Sequence, residues 1–197
     1  MSAFAFPPVL LASASPRRRE LLQQLGVPHA VLAVDVDETP LPGESAQQLV
    51  TRLALAKAQA GLRRDAARPV LGSDTVVVVD AEVFGKPVDK ADALRMLAVL
   101  SGRTHVVMTA VALATGAGAV AQALSRTAVT MRGITAAEAL AYWETGEPQG
   151  KAGSYAIQGR GAAFIEHISG SYSGVMGLPL YETAQLLRTL CPSGGNP

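Results

Sequence analysis

A cluster of serines and arginines lies near the start of the sequence, where Ser13 and Ser15 precede Pro16, Arg17 and Arg18. Ser15 and Pro16 suit the N-cap and first position of a helix. The two arginines then fall in its first turn, where cations oppose the helix dipole. Helix N–H groups, hydroxyls and guanidiniums meeting at one point would bind an anion. A solvated basic turn or a localisation signal is the alternative.

Two further segments could supply carboxylates. Asp37 and Glu38 lie in an acidic loop after a predicted strand, and such loops suit Mg²⁺ or Mn²⁺. Asp74 lies at the edge of a strongly apolar segment, where a carboxylate should be paired, metal-bound or raised in pKa, as a general base requires. An ordinary surface loop and a turn-forming aspartate are the respective alternatives.

Three lysines stand among glycines or alanines: Lys57, Lys86 and Lys151. A lysine offers phosphate a mobile point charge, and small neighbours let a ligand approach it. For Lys57 the alternative is a side chain that only extends from a buried helix face to water. Together, these cations and carboxylates predict a metal-assisted site for a polyphosphate.

The rest of the chain alternates strand and helix patterns that must position these residues. Ser45 with Gln48 and Thr135 with Glu138 are capping-box pairs, and Asp89 suits an N-cap. The predicted strands are 9–12, 30–34, 70–80, 106–114, 119–131 and 162–168, and the predicted helices are 16–25, 45–62, 89–100, 135–145 and 179–190. This order predicts an α/β or α+β protein with a mixed twisted sheet flanked by helices.

Composition narrows the classes of function. The chain has 197 residues and a net charge of +1, too little for the basic face that nucleic-acid binding needs. No stretch is long and apolar enough to span a bilayer, so no membrane partner is expected. The single cysteine, Cys191, excludes an internal disulfide framework and favours a reducing, cytoplasmic setting. The three histidines lack zinc-ligand spacing.

A series of motifs, in order along nearly the whole chain, resembles the Maf family of nucleoside triphosphate pyrophosphatases. They are Ser13-x-Ser15-Pro16-Arg17-Arg18, Asp37-Glu38-x-Pro40, Lys57-Ala58, Gly72-Ser73-Asp74-Thr75-Val76, Gly85-Lys86-Pro87, Ser101-Gly102-x-x-His105, Gly146-Glu147-Pro148, Lys151-Ala152-Gly153-x-Tyr155-x-Ile157-Gln158-Gly159 and Gly177-Leu178-Pro179-Leu180. The series is far more specific than any one motif.

The resemblance implies a fold like that of inosine triphosphate pyrophosphatases, with residues 1–197 as one domain of two lobes around a central cleft. A frayed tail is expected at 192–197. The implied reaction is hydrolysis of a nucleoside triphosphate between the α and β phosphorus, with a divalent metal, Mg²⁺, Mn²⁺ or Co²⁺. The products would be the monophosphate and pyrophosphate.

The resemblance also implies a role for each matching residue. Asp74 would accept the proton and, with Glu38, hold the metal. The substrate would be bound by Ser13, Arg17, Arg18, Lys57, Thr75, Lys86, Lys151 and Gln158. Among these, Arg18, Thr75 and Gln158 match the branch of the family that acts on dTTP and UTP. Gly150 departs from the pattern, because many relatives carry aspartate there.

Two alternatives remain open from the sequence. One is a pyrophosphatase for a modified nucleotide, 7-methyl-GTP or a modified pyrimidine. The other is a nucleotide-binding regulator of septation with little catalysis. The retained Asp74, Lys57 and Lys86 favour an enzyme. The oligomeric state is also open, with a homodimer among the candidates.

Overall fold

A computed structural model describes residues 6–190, which contain seven strands and six α-helices. The strands are β1 (Val9–Leu11), β2 (His29–Val31), β3 (Val70–Val79), β4 (Glu82–Phe84), β5 (Thr104–Ala114), β6 (Val120–Met131) and β7 (Ile165–Ser169). The helices are α1 (Pro16–Gln24), α2 (Ala46–Leu62), α3 (Lys90–Leu100), α4 (Ala136–Glu144), α5 (Tyr172–Met176) and α6 (Leu180–Leu190). Cys191 and the predicted tail at 192–197 lie outside the described residues.

The strands form one mixed sheet in the order β2-β1-β3-β5-β6-β7, and β4 pairs with β3. β1 runs parallel to β2 and β3, whereas β4 and β7 run antiparallel to β3 and β6. The parallel pairs require crossover connections, which α1 and α2 provide. The predicted α/β class with a mixed sheet is therefore confirmed. Within residues 6–190, no helix has both the length and the apolar character needed to cross a membrane.

The described chain divides into two compact units. The first comprises residues 6–74, 109–125 and 177–190, and the second comprises 75–108 and 126–176. In the first unit, Leu10, Ala12 and Val70 form one buried cluster. In the second unit, a larger cluster joins β3, α3 and α4 through side chains that include Val77, Leu97 and Tyr142. The predicted arrangement of two lobes about a cleft stays a prediction.

Three predicted helix starts, those of α2, α3 and α4, are confirmed by their capping bonds, whereas Ser15 is the N-cap of α1 without a side-chain capping bond. At α2, Ser45 Oγ accepts from the Gln48 N–H at 3.3 Å, and Gln48 Oε1 accepts from the Ser45 N–H at 2.9 Å. Thr135 and Glu138 make the same reciprocal pair at α4, with distances of 3.2 and 2.8 Å. At α3, Asp89 accepts from the Asp92 N–H at 2.8 Å. Local sequence is sufficient here because each cap lies within three residues of its partner.

Two predicted strands are wrong by three residues at one end, and the other predicted strands agree with the structure to within two residues. β2 covers His29–Val31 rather than 30–34, because its partner β1 offers only three residues for pairing. The segment predicted as a strand over 162–168 begins instead with a 3₁₀ segment, Arg160–Phe164, and β7 follows at Ile165. Inside the predicted range, the Ala162 N–H donates to the Gly159 carbonyl at 3.1 Å and the Ile165 N–H donates to the Ala162 carbonyl, so these groups close 3₁₀ turns and do not pair with a strand. Neither β4 nor α5 was predicted.

A histidine and a tyrosine form a buried pair in the second unit. His105 is 1% exposed, and its Nε2 lies 2.7 Å from the Tyr155 hydroxyl. The two rings meet edge to face with centroids 5.4 Å apart. Burial lowers the pKa of His105 to about 4, so the imidazole is neutral at pH 7.

Because His105 is buried in its neutral form, we expect the free energy of unfolding to depend on pH. The unfolded histidine takes up a proton near its ordinary pKa of 6.5, whereas the folded one does so only near pH 4. The free energy of unfolding should therefore fall as the pH drops through this window, by up to about 1.4 kcal/mol per pH unit from His105. His105→Gln removes this titration. Urea unfolding at pH 7, 6 and 5 should show a shallower decline in the variant, and equal slopes would contradict the buried neutral state.

Candidate active site

The candidate site in the first unit is built around Asp74, a carboxylate in the apolar strand β3. Asp74 is 8% exposed, and the Lys57 ammonium reaches its Oδ1 at 2.6 Å from α2. Lys57 is itself 8% exposed. A charge this buried requires an opposite charge, and each of these groups supplies one to the other.

Lys57 is shared between two carboxylates. Its Nζ also lies 2.6 Å from Glu38 Oε1, in the loop after β2, where the Glu38 side chain is 48% exposed. The lysine therefore links a buried carboxylate to one that faces solvent. The alternative in which Lys57 only extends to water from a buried helix face is wrong.

The approach of α2 to β3 depends on Gly72, two residues before Asp74 and on the same face of the strand. A Cβ atom on Gly72 would lie 2.2 Å from the Ala54 carbonyl oxygen and 2.6 Å from the Ala58 nitrogen. Small residues on both elements thus bring the helix backbone against the strand. This close contact is what lets Lys57 reach Asp74.

Arg52 holds the loop that carries Glu38. Its guanidinium donates to both oxygens of Glu44, at 2.6 and 2.7 Å, and to the Thr39 carbonyl at 3.1 Å. The hydrogen bonds from Arg52 lower the pKa of Glu44 to about 2. Sequence reasoning missed this clamp, because Arg52 and Glu44 lie eight residues apart, in a helix and a loop.

The serine and arginine cluster lies at the start of α1. Arg18 donates from Nη1 to Ser13 Oγ at 3.1 Å and from Nε to the Gly177 carbonyl at 2.8 Å. Burial lowers the pKa of Arg18, and the charges of Asp74 and Glu38 oppose that shift. Arg17 lies beside it in the first turn and is half-buried. Since Ser13 is buried and Arg18 is anchored, the solvated-turn alternative is wrong for these two residues.

Ser73 connects this cluster to the strand that carries Asp74. It is fully buried, and its hydroxyl lies 2.9 Å from the Gly177 carbonyl oxygen and 3.0 Å from that of Ala110. The Gly177 carbonyl thus receives bonds from both Ser73 and Arg18. Ser73 and Gly177 occurred in the motifs quoted above, but no local pattern indicated that they meet, because 104 residues separate them.

The other four predicted site residues belong to the second unit. Thr75 follows Asp74 in β3 and is half-buried, whereas Lys86 and Gln158 are exposed. The turn before Lys86 is joined to the segment after Lys151, since the Gly153 N–H donates to the Gly85 carbonyl at 3.0 Å. Lys86 and Lys151 therefore belong to adjoining segments. Convergence of these residues with those of the first unit stays a prediction.

The first unit has two carboxylates that could help to bind a divalent metal. Within residues 6–190, no group of three or more His, Cys, Asp or Glu side chains could hold a metal ion by itself. Glu38 and Asp74 supply two carboxylates. Mg²⁺ is commonly held by one or two carboxylates together with phosphate oxygens of a substrate. The residues therefore fit a metal that binds together with a polyphosphate.

The first unit combines two arginines in the first turn of α1 with two carboxylates that share Lys57, and this set of charges is suited to a phosphorylated ligand. The family model described as Maf-like protein matches residues 8–190, and the chain belongs to this family. A relative from Xanthomonas campestris pv. campestris, named dTTP/UTP pyrophosphatase, is 57% identical over 181 residues, covering 90% of this chain and 95% of its own. A relative of the same name from Burkholderia pseudomallei is 55% identical over 200 residues, covering 95% of each chain.

Solved structures give more distant similarities. A nucleoside-triphosphatase, dITP/XTP pyrophosphatase, from Mycobacterium abscessus aligns with a TM-score of 0.42 and 21% identity, over 63% of this chain and 74% of its own. The Ham1 protein of Staphylococcus aureus aligns with a TM-score of 0.44 and 13% identity, over 63% and 71%. The family assignment rests on the sequence matches.

The contact at Gly72 can be tested by adding one methyl group. Gly72→Ala places Cβ against the backbone of α2, so we expect the free energy of unfolding to fall by about 1–3 kcal/mol. Gly133→Ala is the matched control, because nothing lies within 4 Å of a Cβ at that position. Urea unfolding measures both variants. Equal stability of the two would show that α2 does not need this close approach.

Proposed function

We propose that this chain hydrolyses dTTP and UTP between the α and β phosphorus, giving the nucleoside monophosphate and pyrophosphate. The observation that carries the proposal is the buried Asp74 carboxylate, held by Lys57 together with Glu38, in a unit that also holds Ser13 and Arg18. Relatives at 54 to 59% identity, named dTTP/UTP pyrophosphatase, support the choice of substrate.

The start of α1 would bind phosphate. The N–H groups of a first helical turn attract an anion, and here Arg17 and Arg18 add two positive charges to the same turn. Ser13 Oγ already accepts hydrogen bonds from Arg18 and from the Ser15 N–H at 3.2 Å, so its hydroxyl proton can be donated to a phosphate oxygen. In the second unit, Lys86 and Lys151 are the proposed partners of further phosphate oxygens.

Asp74 would accept the proton of the attacking water. As the water oxygen bonds to the α phosphorus, the bond from that phosphorus to the bridging oxygen breaks and pyrophosphate leaves. Lys57 holds one carboxylate oxygen of Asp74 at 2.6 Å and so fixes the direction of the other. A divalent metal, Mg²⁺, Mn²⁺ or Co²⁺, held by Glu38 and Asp74 would offset the charge of the triphosphate and its leaving group.

Base choice is assigned to Arg18, Thr75 and Gln158. The amide of Gln158 can donate and accept in one plane, as the edge of a uracil or thymine ring requires. The proposed partner is the nucleotide alone, since a net charge of +1 gives no extended basic face. With one cysteine in the chain, we also propose a reducing, cytoplasmic setting.

Replacement of Asp74 tests the proposed base. Asp74→Asn keeps the shape of the side chain but removes the proton acceptor, so kcat for dTTP should fall by about 10³-fold. We expect a less stable but folded protein, because Lys57 keeps its ion pair with Glu38. Asp80→Asn is the control, because Asp80 is a surface carboxylate paired with Arg103, and asparagine tolerates its positive φ of 52°. Release of pyrophosphate measures turnover. Near-normal turnover in Asp74→Asn would refute the assigned role.

A further inference from the structure

We propose that Glu147 and Tyr142 are positioning residues for base recognition, because together they hold both arms of the turn that carries Gln158. The inference rests on the proposed function, in which Gln158 contacts the nucleobase. Neither residue is assigned contact with the substrate. All the contacts that carry the inference lie within the second unit.

Gln158 is an exposed side chain on an anchored backbone. It lies in a turn closed by the Gly159 N–H, which donates to the Ala156 carbonyl at 3.3 Å. Ala156 and Ile157 just before it are buried, at 5% and 7% exposure. An exposed glutamine has many rotamers, so its value for recognition depends on a backbone that does not move.

The Glu147 carboxylate binds the arm that follows Gln158. Its Oε2 accepts from the Arg160 N–H at 2.9 Å, and its Oε1 accepts from the Gly161 N–H at 3.0 Å. Oε1 also accepts from the Tyr142 hydroxyl at 2.6 Å. One carboxylate therefore satisfies two consecutive backbone donors and one side-chain donor.

Tyr142 binds the arm that precedes Gln158. It is a buried residue of α4, and while it donates to Glu147, its oxygen accepts from the Ala156 N–H at 3.1 Å. Its ring is fixed edge to face against Phe164, with centroids 5.2 Å apart. The phenol and the carboxylate thus form one connected support for the turn.

The backbone is shaped to fit this support. A Cβ on Gly159 would lie 2.3 Å from Glu147 Oε2, and a Cβ on Gly161 would lie 2.6 Å from the Tyr142 oxygen. Only glycine therefore allows the turn to approach so closely at both positions. These two contacts explain why glycines stand at positions 159 and 161, just after Gln158.

The support uses a charged acceptor. Burial of Glu147 acts to raise its pKa, but the hydrogen bonds from Tyr142, Gly161 and Arg160 hold the pKa below its ordinary value. An ionised carboxylate makes shorter and stronger hydrogen bonds than a neutral amide would. An amide has one acceptor oxygen and two donor hydrogens, so a glutamine at 147 cannot satisfy all three donors.

The test compares Glu147→Gln with the wild-type chain on dTTP, UTP, ATP and GTP. We expect KM for dTTP to rise about tenfold with kcat little changed, because the support touches the base-reading turn and not the Asp74 group. The preference for dTTP over ATP, as a ratio of kcat/KM values, should fall by a similar factor. Tyr142→Phe removes the other half of the support and should act in the same direction.

Two controls separate positioning from a general structural effect. Glu144→Gln makes the same change at the exposed end of α4 and should leave KM and selectivity unchanged. Gln158→Ala removes the side chain that the support is proposed to hold. If Glu147 acts through Gln158, adding Glu147→Gln to Gln158→Ala will produce little further loss of selectivity.

The outcomes are distinguishable. Reduced selectivity that does not add to the effect of Gln158→Ala supports the inference. Unchanged selectivity in both Glu147→Gln and Tyr142→Phe, or losses that add fully to that of Gln158→Ala, overturns it while the proposed function stands. A wild-type chain that releases no pyrophosphate from any of the four nucleotides contradicts the proposed function, and the inference with it.

Discussion

The rest of the candidate site depends on a pair of salt bridges made by one lysine. The Nζ atom of Lys57 lies 2.6 Å from Asp74 Oδ1 and 2.6 Å from Glu38 Oε1. Removing one partner of a buried ion pair leaves an uncompensated charge and typically costs about 3–5 kcal/mol. For Lys57 to reach both carboxylates, the structure must meet two conditions. The helix α2 must lie against β3, which requires Gly72, and the loop with Glu38 must be held in place, which Arg52 does.

The two units share one feature in the way they hold their functional side chains. A side chain assigned to chemistry or recognition is held by a neighbour that is itself assigned no contact with the substrate. Arg18 is held by the Gly177 carbonyl, to which Ser73 also binds, and Gln158 stands on a turn held by Glu147. Preorganisation of this kind lowers the cost of ordering a ligand.

Local features of the fold could be predicted from the sequence. The capping pairs Ser45 with Gln48 and Thr135 with Glu138 mark helix starts because each pair acts within one turn. The strand β3 could also be predicted, because four consecutive valines, 76–79, are typical of a buried strand. The error at 162–168 arises at the start of that range, where the Ala162 N–H donates to the Gly159 carbonyl at 3.1 Å, within a 3₁₀ segment. The N–H groups just before it, those of Arg160 and Gly161, are bound by Glu147, which lies 13 residues before Arg160.

The sequence was enough to predict candidate residues for the site, but not which of them contact each other. The chemistry of their side chains indicates Asp74, Glu38 and Lys57 as site residues, yet only the structure shows one lysine between two carboxylates. Arg52, Ser73 and Glu147 were assigned no role, because hydrogen bonds to distant carbonyls and amides leave no local pattern. The resemblance to the Maf family supplied roles that residue types alone left open.

Attack of water at the α phosphorus is tested most directly by following the water oxygen during hydrolysis of dTTP by the full chain with Mg²⁺. In ¹⁸O-labelled water, attack at the α phosphorus places the label in the monophosphate and releases unlabelled pyrophosphate, in equal amounts. We predict this result by ³¹P NMR and mass spectrometry. Label in the pyrophosphate, or release of dTDP and orthophosphate, would contradict it.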